Sequence, residues 1–86
     1  MDNIIRQLIE KEPTATIVLD DSPNIVIVPV ILDENSTADE DKIGQLEYQV
    51  SDGMPGFRSH SQDFYSWEDA KQAALDMEAD LYTTVQ

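Results

Sequence analysis

The sequence predicts an α+β fold: a three- to four-stranded antiparallel sheet with an N-terminal helix and a longer C-terminal helix packed on it. Three observations carry that expectation. Apolar residues recur at helical spacing at both ends of the chain, β-branched and alternating runs fill the middle, and Asn, Asp, Gly and Pro mark the junctions.

The first helix is expected over residues 3 to 11. Ile4, Ile5, Leu8 and Ile9 form one apolar stripe. Asp2 or Asn3 is placed to cap it. Pro13 ends it and pushes Glu12 toward extended geometry. Thr14 to Leu19 is rich in β-branched residues and reads as a strand, and Asp20-Asp21-Ser22-Pro23-Asn24 as a turn. Ile25 to Leu32 reads as a second strand, paired with the first as a hairpin. It is apolar at almost every position, so burial on both faces is expected, with helices over part of each. Pro29 cannot donate to a ladder and belongs at an edge or a bulge.

Asp33 to Lys42 is too polar to pack and is expected to be a flexible acidic loop at 33–42. Leu46, Tyr48 and Val50 alternate with Gln45, Glu47 and Gln49, the period of a half-exposed strand. Ser51 to Gly56 reads as a turn, and Phe57 to His60 as a short fourth strand. Ser66 opens the longer helix. Ser66-Trp67-Glu68-Asp69 approximates a capping box, with Asp where Glu or Gln is usual. Trp67, Ala70, Ala74, Met77 and Leu81 follow at spacings of three and four and form its buried face. Tyr48 and Trp67 fit the core pattern; of Phe64 and Tyr65, one can staple the helix start and the other can anchor an interface.

The 86 residues allow a single domain, 1–86. A chain of this size has a thin stability margin. It contains no cysteine, so neither a disulfide nor a zinc–thiolate site can add to packing. Met1 to Arg6 lacks the basic-then-apolar order of a signal peptide, and the run from Ile25 to Leu32 is too short to span a bilayer. A cytoplasmic protein is expected.

Charge is the strongest compositional feature. Eighteen acidic residues face five basic ones, a formal net charge of −13. That exceeds the magnitude of roughly 2–8 that suffices to keep a small domain soluble, and self-repulsion on this scale destabilises the compact state. Direct binding to nucleic acid is excluded, because there are too few Lys and Arg to neutralise phosphates. Anionic membranes are disfavoured for the same reason. A partner with a basic face is favoured. High salt would screen such charge too, but here the acidic residues are clustered rather than evenly spread.

Two clusters stand out. On the C-terminal helix, Asp69, Asp76 and Asp80 lie at spacings of seven and four and line one face, with Glu68 and Gln72 beside them. Carboxylates at i and i+4 are about 6 Å apart, comparable with successive phosphates along a nucleic-acid strand. Like charges so placed weaken a helix, and Asp76, Glu78 and Asp80 lie toward the end where the dipole disfavours anions. Local rules broken without structural gain point to function; an ordinary solvated face reads the same in sequence. The second cluster is Asp33, Glu34, Asp39, Glu40 and Asp41, an anionic arm able to dock on a basic partner. Read as a calcium loop it places Ala38 where glycine is needed and Gly44 where a bidentate glutamate is needed, so no metal is expected.

No enzyme and no cofactor are expected. His60 has Ser59, Ser61 and Asp63 close in sequence, but neighbours on a strand point to opposite faces and do not converge as a triad must. Paired carboxylates need a concave site with one raised pKa, for which so short a chain has little room. Arg58 reads as an internal partner for a carboxylate.

The pattern resembles small acidic inhibitor proteins of phages and plasmids, which block DNA-handling enzymes by presenting carboxylates where phosphates would sit. Anti-restriction and anti-CRISPR proteins are among them, and the layout most resembles a short acidic anti-CRISPR protein. The matching features are the opening helix Asn3-Ile4-Ile5-Arg6-Gln7-Leu8-Ile9, the strands after it, and the helix from Phe64-Tyr65-Ser66-Trp67-Glu68-Asp69 to Asp76-Met77-Glu78. This chain departs in having one long C-terminal helix rather than two, and a longer second strand. The resemblance implies an inhibitor that binds a basic nucleic-acid-binding protein, a CRISPR effector or a nuclease, by mimicking nucleic acid in a host-cell cytoplasm. The alternative is a small acidic accessory, regulatory or nuclease-immunity protein acting by protein–protein contact without mimicry.

Overall fold

The computed structural model describes residues 1–52 and 61–84. Helix α1 (Asp2–Lys11) is followed by strands β1 (Ile17–Leu19) and β2 (Ser22–Ile31), a single 3-10 turn at Glu40–Lys42, strands β3 (Leu46–Ser51) and β4 (Ser61–Phe64), and helix α2 (Trp67–Thr84). The four strands form one antiparallel sheet in chain order, β1-β2-β3-β4. The α+β layout expected from sequence is what the chain adopts.

One core holds the layers together. Ile5 and Ile9 of α1, Ile25 and Ile27 of β2, Leu46, Tyr48 and Val50 of β3, and Trp67, Ala70 and Ala74 of α2 make a single buried cluster. Ala70 and Ala74 are fully buried, so α2 lies close on the sheet. Both helices therefore pack on the face that carries Ile25 and Ile27, not one on each face as the apolar run in β2 predicts. Val26, Val28 and Val30 point the other way and are half-buried, opposite Ser51, Gln49 and Glu47 of β3. The run is apolar on both faces, but only one face carries helices.

Several boundaries shift for local reasons. Pro13 and Thr14 form a turn held by the Ala15 N–H donating to the Glu12 carbonyl at 3.0 Å, so β1 starts at Ile17 rather than Thr14. The β1–β2 turn tightens to Asp20-Asp21, because Leu19 pairs with Ser22. β1 reaches only to Ile17, opposite Ile27, which leaves Pro29 with β3 as its one paired neighbour, opposite Tyr48. At Pro29 the β1 side of β2 is therefore a local edge, in keeping with the edge expectation. The fourth strand is Ser61–Phe64; the segment 57–60, read from sequence as that strand, lies outside the described residues. Helix α2 continues to Thr84, so Asp76 and Glu78 sit in its interior, where the end of the dipole has little reach.

Asp2 does not cap its own helix. Met1 is the N-cap of α1 and makes no side-chain capping bond. The Asp2 carboxylate instead accepts from the backbone N–H of Trp67, at 3.0 Å, and from the Tyr48 hydroxyl. Ser66 caps α2 as its sequence predicts, its Oγ accepting from the Asp69 N–H at 3.2 Å.

Candidate functional site

The flank of α2 that faces β4 carries the acidic stripe. At about 100° per residue, Asp69, Asp76 and Asp80 point within about 40° of one another, away from the buried face. Together with Gln72, Ala73 and Met77 they form one wall of an open groove of about 450 Å³. Gln62 and Phe64 of β4 form the other wall. The pairing explains why those two are there. Phe64 lies opposite Tyr48 and Gln62 opposite Val50, and Tyr48 and Val50 are buried under the helices, so the whole row faces the helix side. Phe64, Ala73 and Met77 are half-buried and supply an apolar floor, while the three aspartates are exposed. The Gln72 Nε2 donates to Asp76 Oδ1 at 3.0 Å and fixes that carboxylate on the helix surface.

Glu68 is exposed but does not line the groove. It is turned about 100° from Asp69 on the helix. Glu78, read from sequence only as an anion toward the helix end, lies on the buried side of α2. It is 3% exposed, and its Oε1 accepts from both the backbone N–H and the Nδ2 of Asn24, each at 3.1 Å. This glutamate ties α2 to the start of β2, so its apparent breach of the dipole rule has a structural gain.

The second acidic cluster is built from turns. Asp33 Oδ1 accepts from the N–H groups of Asn35 and Ser36, at 2.9 and 3.0 Å, and from the Ser36 hydroxyl at 2.9 Å. The Ser36 hydroxyl and these two N–H groups hold the Asp33 carboxyl below the ordinary carboxylate value. Asp39 Oδ1 caps the 3-10 turn by accepting from the Asp41 N–H at 3.1 Å. Glu34, Glu40 and Asp41 are exposed. Gly44 closes the segment at φ +88°, a left-handed conformation that glycine adopts without strain.

Two cations near this segment have partners other than carboxylates. Arg6 Nη1 donates to the Gly44 carbonyl at 2.9 Å, and the Lys42 ammonium lies 5.5 Å from the centre of the Tyr65 ring. The Lys42–Tyr65 contact also brings the segment to the β4–α2 junction. The β2–β3 connection, which carries the carboxylates of residues 33–41, thus lies at the same end of the sheet as the start of α2. Asp76 and Asp80 continue along the same helix toward the β1–β2 end, where Glu78 meets Asn24.

Among the described residues, no group of three or more His, Asp or Glu side chains is arranged to hold a metal ion. No helix among them is long and apolar enough to cross a membrane. Arg58, Ser59 and His60 lie outside the described residues. The groove's second wall is not part of the sequence reading, which assigns no strand to 61–64. The alternation of Gln62 and Phe64 with Ser61 and Asp63 was the available signal. The turn-forming roles of Asp33 and Asp39 are carried by their spacing to Ser36 and Asp41.

No protein-family model, curated protein or solved structure matches the chain.

Proposed function

We propose that this chain acts by binding rather than catalysis, as a small acidic inhibitor that occupies the nucleic-acid site of a basic protein. A phage anti-CRISPR-type role against a CRISPR effector is the form of that reading which the charge and layout favour. One observation carries it: Asp69, Asp76 and Asp80 share one flank of α2, exposed and lining one groove. A net charge of −13 adds long-range attraction to a Lys- and Arg-lined channel. Asp33, Glu34, Asp39, Glu40 and Asp41, exposed in the β2–β3 connection, and the exposed Glu68 are the further carboxylates this reading assigns to the partner. No cofactor is required for such a role, and the host-cell cytoplasm is where its target would be met.

The test is competition. A guide-loaded CRISPR effector is titrated with the chain while target-DNA binding is followed. The reading expects mutually exclusive binding, with an association rate that falls steeply as salt rises. An effector that binds DNA and the chain together, or that ignores the chain at low salt, contradicts it.

A second reading rests on the opposite face of the sheet. Val26, Val28 and Val30 are only half-buried there, and Val18 is 51% exposed. An accessory or nuclease-immunity protein would use such an apolar row for contact without mimicry. Its binding would persist at high salt and be lost on Val28→Glu.

A further inference from the structure

β4 is a terminal strand of the sheet, and no described strand lies beyond it. Its outer edge presents backbone N–H and C=O groups without ladder partners among the described residues, a template on which another strand can form. The groove runs along this strand. Its floor of Phe64, Ala73 and Met77 is apolar, and its helix wall carries Asp69, Asp76 and Asp80. The site is therefore a sheet edge, an apolar floor and a line of carboxylates together.

Spacing and charge select the occupant. A strand added to β4 would lie about 4.8 Å from it and send every second side chain, about 6.8 Å apart, toward α2. Asp76 and Asp80, four residues apart on the helix, are separated by about 6 Å, so alternate cations would meet successive carboxylates. Arginine suits both surfaces. Its aliphatic stem covers apolar ground while its guanidinium reaches a carboxylate in a two-pronged bond. A neutral strand would gain nothing from the helix wall, and an acidic one would also be opposed by the net charge of −13.

We propose that this groove receives an extended segment of the partner, added to β4 as a fifth strand, with arginines at alternate positions. The proposal rests on the reading of the α2 flank as the partner-binding face, and it names the element of the partner that the flank takes.

Two peptides of the same composition test it, one alternating Arg-Thr-Arg-Thr-Arg-Thr and one with its three arginines contiguous. Binding is measured by fluorescence anisotropy at low and moderate salt, and the Ser61–Phe64 amides are followed by NMR. The alternating peptide is expected to bind about tenfold tighter than the block peptide and to shift the β4 amides. N-methylation at alternate backbone nitrogens of the alternating peptide, which leaves every charge in place, is expected to remove that advantage. So is the D69N/D76N variant, whose substituted side chains are exposed and outside the core. Equal affinities for the two peptides, or tight binding with β4 amides unmoved, overturn strand addition while leaving competition with nucleic acid intact. Absence of binding by either peptide at low salt overturns it as well. Loss of competition with nucleic acid is read in the separate effector assay.

Discussion

The Asp2 carboxylate accepts a hydrogen bond from the backbone N–H of Trp67, 65 positions along the chain and 3.0 Å away. The same oxygen accepts from the Tyr48 hydroxyl. One side chain at the start of α1 thus satisfies an orphan donor at the start of α2 and the polar end of a buried ring. Tyr48 and Trp67 also pack on each other, with ring centroids 5.9 Å apart and planes tilted by 60°. Asp2→Ala is expected to destabilise the fold by roughly 1–2 kcal/mol. Asp2→Asn, which keeps an acceptor oxygen, should cost less. Urea denaturation of the two variants checks both values.

Tyr48 should give the chain a specific weakness in alkali. Burial first, and then its bond to Asp2, raise the phenol above its ordinary value of 10.0 in the folded state. The unfolded chain releases the proton near pH 10 while the folded chain keeps it. The stabilisation is therefore full below about pH 10 and is lost as pH rises beyond it. The denaturant midpoint of the wild type should fall with pH in that range, and that of Tyr48→Phe should fall less.

Asp33 behaves with the opposite sign. Its folded carboxyl is held below 3.8 by the Ser36 hydroxyl and by the N–H groups of Asn35 and Ser36. The turn is therefore stabilised at pH above the ordinary carboxylate value, and that stabilisation is lost as pH falls through the lowered one. An NMR titration should place Asp33 below 3.8, and Ser36→Ala should move it back up, because the first of those donors is then gone.

Glu78 and Asp76 are two carboxylates on one helix with opposite expected costs. Glu78→Ala leaves the Asn24 N–H without its acceptor in a part-buried site and should destabilise by about 1–3 kcal/mol. Asp76→Asn alters an exposed side chain and should stay within about 0.5 kcal/mol of wild type. Thermal unfolding of the pair checks the contrast. If Asp76→Asn were the costlier change, the assignment of these two acids to structure and surface would be reversed.

Much of the architecture was legible because burial imposes a period. The alternation of Leu46, Tyr48 and Val50 and the three-and-four spacing of Trp67, Ala70 and Ala74 each mark one buried face. Polar contacts across long separations were not legible. Nothing near Asp2 in sequence points to Trp67, and nothing near Glu78 points to Asn24. The strand character of β4 is weak in sequence for a related reason. Ser61-Gln62-Asp63-Phe64 is a polar edge strand held by its pairing with β3, not by its own apolar content. Of the acidic stripe, the shared direction of Asp69, Asp76 and Asp80 followed from helical geometry, whereas the groove beneath them depended on that unread strand.

The most direct measurement is competition for a guide-loaded CRISPR effector by the D69K/D76K/D80K variant, compared with wild type at matched ionic strength. Its denaturation midpoint should first be found close to that of wild type. Competition with target DNA is then expected to weaken by at least about tenfold, with most of the salt dependence gone. A folded triple variant that displaces DNA as well as wild type does would contradict the assignment of this flank as the surface that imitates a polyanion.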